Sequence, residues 1–166
     1  ADGKPIKATK KEYSTENGKR VVKHIKGSHE LAKLRTKICI ADWDGDGLKD
    51  LLVGHEHAII LYKNTGTKEK HCFKAPTLIK APEGSVKSRR KTPKGSFPFR
   101  PSPFVVDWDK DGKMDLLVGT ERRDIYFYRN TGTNKAPVLA KGKVLDLKGK
   151  GFSDGLISRI SVTDWN

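Results

Sequence analysis

The chain is poor in several residues that would otherwise suggest a fold class. Its 166 residues include only two cysteines and one methionine. Two cysteines cannot make a disulfide framework, so an apolar core must hold the fold. No segment shows a 3.6-residue apolar period with caps, which argues against helices. No apolar run approaches the ~20 residues of a membrane-spanning helix. No signal-peptide pattern is visible, and this leaves the compartment open. Acidic residues are also scarce: 20 Asp and Glu stand against 34 Lys and Arg, a net charge of +14. That excess favours an acidic partner, whether nucleic acid, an anionic glycan or a membrane surface.

What the chain does contain is a long internal repeat. KICIADWDGDGLKDLLVGHEHAIILYKNTGT (residues 37–67) matches SPFVVDWDKDGKMDLLVGTERRDIYFYRNTGT (residues 102–133), with Asp42 and Asp107 lying 65 residues apart. The match extends to KAPTLIKAP and KAPVLAKGK, and a third beginning, RISVTDWN, places Asp164 another 57 residues on. A period of this size implies stacked supersecondary units that need neighbours to bury their apolar faces. Each unit reads as four short strands, in the first copy KICIA, DLLVG, AIILYK and PTLIKA. Four antiparallel strands per repeat describe a propeller blade. The expected organisation is an outer strand and basic connection (1–37), blade one (38–80), a basic connection (81–102), blade two (103–145), and a connection with the first strand of a third blade (146–166). Remaining blades would come from the same longer chain or from homo-oligomerisation.

The aspartates carry the chemistry. Asp42, Asp44, Asp46 and Asp50 follow D-x-D-x-D-G-x-x-D, and Asp107, Asp109, Asp111 and Asp115 repeat it. Four carboxylates this close repel unless a cation neutralises them. Alternate residues of a tight loop can converge on one point, and Gly47 and Gly112 permit the sharp turn. Hard oxygen ligands suit Ca²⁺, with the carbonyls of Leu48 and Lys113 as further donors. An EF-hand is excluded, because its twelfth loop position is Val53 or Val118 rather than Glu and the flanks are strands. The plainer alternative is an Asp-rich turn without metal.

These residues, DWDGDGLKDLLVG with YKNTG and DWDKDGKMDLLVG with YRNTG, resemble the FG-GAP or VCBS repeat of calcium-binding β-propellers. Such repeats occur in integrin α-subunit heads, some fungal lectins and secreted bacterial polysaccharide-active proteins. The resemblance implies an all-β propeller, two structural calcium ions and a secreted or cell-surface location. It leaves function open, because this fold carries both binding and catalysis.

The remaining charge is unevenly spread. Residues 1–37, 80–100 and 135–159 hold 24 of the 34 basic residues but only 7 of the 20 acidic ones. In an antiparallel blade these connections lie at the end opposite the aspartate loops, so one face of a ring would be strongly positive. Arg35 and Arg100 each stand seven residues before the first motif aspartate, and Arg159 stands five before Asp164. They read either as a guanidinium ring gripping carboxylate or sulfate, or as a repeated salt bridge between blades. Arg122, Arg123, His55 and His57 share that end as ligand-binding candidates, the histidines otherwise being solvated. SVKSRRKTPKGS (85–96) would attract nucleic acid by charge but lacks interleaved aromatics. Trp43, Trp108 and Trp165 read as packing residues rather than sugar platforms. Cys39 lies in a strand and Cys72 in a loop segment without a counterpart in the second copy; they are bridged or, more plainly, free thiols.

Three functions fit: a calcium-stabilised module binding an acidic or sulfated polysaccharide, part of a polysaccharide lyase using Arg or Lys with His or Tyr as base, or a structural or adhesion propeller with a protein partner.

Overall fold

A computed structural model describes residues 12–16, 19–23, 36–82, 95–121, 124–146 and 160–162. The chain divides into two units, Ala1–Leu34 and Arg35–Asn166. In the first, β1 (Glu12–Glu16) and β2 (Lys19–Lys23) form an antiparallel hairpin in what the sequence suggested was a connection; the expected outer strand, GKPIKATKKE (3–12), lies outside the described residues but for Glu12.

The second unit is all-β among the described residues. β3 (Lys37–Ala41), β4 (Asp50–His55), β5 (Ala58–Tyr62) and β6 (Thr77–Ile79) make one four-stranded antiparallel sheet in sequence order. β7 (Ser102–Val106), β8 (Asp115–Gly119), β9 (Ile125–Tyr128) and β10 (Lys143–Val144) make another of the same order. Short β-branched and aromatic runs between Gly and Asp turns explain the strands. No helix among the described residues is long and apolar enough to cross a membrane.

The two sheets share one register. Ala41 faces Asp50 as Val106 faces Asp115, and Ile60 faces Val53 as Tyr126 faces Val118. One correction to the sequence alignment follows from the turn after Asn64. Thr65 donates from its backbone N–H to the Cys72 carbonyl at 2.8 Å, and Thr131 does the same to Val138 at 2.8 Å. Asn64 bridges to Phe73 as Asn130 bridges to Leu139. The backbone therefore aligns Cys72 with Val138, and the shared letters KAP do not correspond. The segment around Cys72 has a structural counterpart after all, and the fourth strand of the second sheet is β10, not PVLAKG. Cys39 and Cys72 are free thiols, Cys72 exposed.

The core lies between the sheets. Because side chains alternate, Leu52, Ile59 and Leu61 share one face of the first sheet, and Val105, Leu116, Val118, Tyr126 and Tyr128 share one face of the second. These residues form one cluster with Trp43, Ala81 and Phe97. Phe97 meets Tyr128 edge-on at 5.3 Å between ring centroids. The face of the second sheet that is buried here corresponds, position for position, to Ile38, Ile40, Leu51 and Tyr62 of the first. There Ile38 and Ile40 are each 64 % exposed, while Val53 and Ile60 at the centre are buried; Leu78 and its counterpart Val144 are exposed in both sheets. The sheets thus stack front to back, and the front of the first keeps an apolar rim in solvent.

Candidate metal centres

Each aspartate loop joins the first two strands of its sheet. Gly47 and Gly112 take φ of +84° and +83°, the left-handed region that favours glycine, and turn the loop back on itself. The first aspartate fastens that turn. Asp42 accepts from the N–H groups of Asp46 (3.1 Å) and Gly47 (2.9 Å). Asp107 accepts from Asp111 (3.0 Å) and Gly112 (2.9 Å) in the same way.

The last aspartate is buried and staples two loops together. Asp50 accepts from the Trp43 N–H at 3.1 Å and the Asn64 N–H at 2.8 Å. Asp115 accepts from Trp108 at 3.0 Å and Asn130 at 2.7 Å. Burial pushes both carboxyls above the usual carboxylate range, although these N–H groups oppose it.

Three carboxylates converge in each loop: Asp42, Asp44 and Asp50 in one, Asp107, Asp109 and Asp115 in the other, with one oxygen of each within 4.8 Å of the others. The expected fourth members, Asp46 and Asp111, stand outside these clusters. Asp46 accepts the Leu48 N–H at 2.9 Å, which holds its carboxyl below the usual range. Asp111 accepts the Lys113 N–H at 3.0 Å. Desolvation works against Asp111, yet that N–H and Arg129 keep its carboxyl low. The donor set is all hard oxygen, which fits a hard divalent cation. Asp44 Oδ1 is buried and has no hydrogen-bond partner among the described residues, so one lone-pair site of the cluster is unsatisfied.

Lys63 and Arg129 reach into the loops, and the sequence reading passed over both. Lys63 pairs with Asp44 and stands 3.3 Å from Asp46 Oδ2. Arg129, at the corresponding position, places Nε 2.6 Å from Asp109 Oδ2 and Nη2 3.0 Å from Asp111 Oδ2. The signal lay in the basic residue that precedes NTG in both copies. Asn134 was missed as well. It donates to the Gly112 carbonyl at 3.0 Å and accepts from the Met114 N–H at 2.8 Å, while its Cβ lies 3.0 Å from where a Cβ on Gly45 would stand. It therefore sits between the two loops.

The opposite end of the sheets holds three of the ligand-binding candidates, Arg100, His55 and His57. Arg100 bonds Glu121 at 2.5 Å and stacks its guanidinium 4.8 Å from the Phe99 ring centroid. This pair lies within the second repeat and is not the bridge between blades that the sequence alternative described. Lys37 donates to the Arg100 carbonyl at 2.8 Å. His57 Nδ1 lies 3.2 Å from the Phe97 carbonyl oxygen, with Phe99 5.1 Å from its ring. His55 is half-buried at the end of β4. Arg35, Arg122, Arg123, Arg159 and Asp164 lie outside the described residues. Trp43 is buried in the core, whereas Trp108 is 41 % exposed beside Phe127. Trp165 lies outside the described residues. No family model, curated protein or solved structure matches the chain.

Proposed function

We propose that the chain is a calcium-stabilised β-propeller segment that binds an acidic or sulfated polysaccharide in an extracellular setting. The carrying observation is the pair of like-built carboxylate clusters, each with three oxygens within 4.8 Å. Ca²⁺ is the natural occupant of a flexible all-oxygen site of this kind, held by Asp42, Asp44 and Asp50 and by Asp107, Asp109 and Asp115. The carbonyls of Leu48 and Lys113 are further donors. The role is structural: the ion neutralises the loop that joins the first two strands.

The propeller reading draws support from the front-to-back stacking. The second sheet presents its front to the first, and the exposed Ile38 and Ile40 on the equivalent front of the first are where a further unit fits, from a longer polypeptide or a second copy. The glycan reading draws support from the net charge of +14, with 24 of the 34 basic residues in stretches 1–37, 80–100 and 135–159, which contain none of the motif aspartates. Nucleic acid would answer to charge alone, but stacking aromatics do not accompany the basic segment. The His57 ring nitrogen Nδ1 is engaged by the Phe97 carbonyl, which favours binding over lyase chemistry.

Two measurements test this. Calcium titration of metal-free protein should show two sites, with affinities of roughly 10⁻⁴–10⁻³ M, and should raise the melting temperature. An immobilised sulfated or uronic-acid polymer should retain the chain, and retention should fall steeply with salt. Arg35→Ala with Arg100→Ala should weaken retention with both calcium sites intact. Equal binding to neutral glycans would overturn the glycan reading, and an unchanged melting temperature with no calcium uptake would overturn the metal reading.

A further inference from the structure

Lys63 and Arg129 occupy corresponding positions, one residue before the buried asparagine of each NTG turn, and each reaches the second and third aspartates of its own loop. An isolated surface pair carries little weight, because such pairs are screened and cost side-chain entropy. Here the same contact is made twice, by two different side chains, into two clusters of like charge. Four carboxylates in one turn repel, and an internal cation is what relieves them when no metal is bound.

The two loops are not equally supplied. Among the described residues the first has one such cation, a Lys, and an unsatisfied Asp44 Oδ1. The second has two: Arg129 spans Asp109 and Asp111 with two nitrogens, and Lys113 Nζ lies 3.3 Å from Asp111 Oδ2. Leu48 stands in the first loop where Lys113 stands in the second. A planar guanidinium held by two carboxylates is harder to displace than a single flexible ammonium.

On the metal reading above, we propose that Lys63 and Arg129 are resident counter-cations that a divalent cation must displace, so that the Asp42 loop binds metal more tightly than the Asp107 loop. Without metal these side chains hold the loops closed. With metal they swing out to solvent.

The experiment isolates each loop in the full chain. Asp109→Ala leaves the first site and Asp44→Ala leaves the second. Each is titrated with Ca²⁺ by calorimetry and with Tb³⁺, whose luminescence is excited through the adjacent Trp43 or Trp108. The first site should bind roughly tenfold more tightly, the scale of one or two surface ion pairs. Lys63→Met should raise affinity at the first site, and Arg129→Met at the second, by about the same factor. Lys63→Arg should not raise it. In metal-free buffer Lys63→Met should lower the melting temperature by roughly 2–5 °C. Equal sites whose affinities ignore the Met substitutions would overturn the proposal and leave calcium binding standing. A wild-type chain that takes up neither ion would instead overturn the metal reading; the metal-free melting temperature of Lys63→Met would then decide the counter-cation role alone, a fall supporting it and no change removing it.

Discussion

Gly54 lies against Pro101: a Cβ added to Gly54 would stand 1.9 Å from the Pro101 carbonyl oxygen and 3.0 Å from Pro103 Cδ. The end of β4 therefore touches the backbone that leads into β7, and this close approach sets how the second sheet seats on the first. Gly54→Ala should cost roughly 3 kcal/mol, the upper range for overpacking. Chemical denaturation would measure it. A loss below that of an ordinary surface substitution would mean that the sheets can slide apart without penalty.

Asp42 and Asp44 should behave differently without metal. Asp42 holds two backbone N–H groups, so Asp42→Ala should cost about 2 kcal/mol even in metal-free buffer. Asp44 pairs only with Lys63 among the described residues, and removing one carboxylate relieves repulsion. Asp44→Ala should therefore stay within about 0.5 kcal/mol. Each variant should lose one calcium site and keep the other. Thermal melts with and without Ca²⁺ would show the contrast.

Asn64 and Asn130 should be as costly as core residues. Both are fully buried. Asn64 Oδ1 accepts from Gly66 and Cys72, each at 3.0 Å, and Asn130 Oδ1 accepts from Gly132 and Val138, each at 3.0 Å. Alanine at either position leaves two N–H groups without their acceptor, a loss of about 2 kcal/mol. Hydrogen exchange should localise the damage to the turn after β5 or β9.

The pH dependence of the metal-free protein should be governed by two opposing pairs. Asp50 and Asp115 have raised folded values, so the native state holds more protons than the unfolded chain just above the ordinary 3.8. Stability then falls as pH rises from there through the raised values. Asp46 and Asp111 have lowered values; the stability they give is present above 3.8 and lost as pH falls below it. Calcium favours the ionised carboxylates and should remove the decline on the alkaline side. Melting temperature against pH, with and without Ca²⁺, would test the sign.

Ile40 should be replaceable in this chain at little cost if its face is open. Ile40→Asp should change stability by less than about 0.5 kcal/mol. If a second copy docks on that rim, the same substitution should abolish the association. Sedimentation at several concentrations would separate the outcomes.

Strand positions, the fourfold order within each unit and the aspartate spacing were legible in the sequence because each depends on neighbours along the chain. Alternation, Gly and Asp punctuation and the turn after Tyr62 are local signals, and the carboxylates lie within nine residues of one another. Matching the two copies beyond the NTG turn failed, since letters such as KAP are short and recur by chance, whereas the bonds from Thr65 to Cys72 and Thr131 to Val138 are not written in residue identity. Only the folded chain decided which carboxylates converge. Asp46 and Asp111 turned to the backbone N–H two residues on, and Lys63 and Arg129 arrived from a strand two positions away in the sheet. Only packing decided that Val105 is buried while the equivalent Ile40 is not, because burial depends on which sheet lies in front, and two like sequences can differ in that alone.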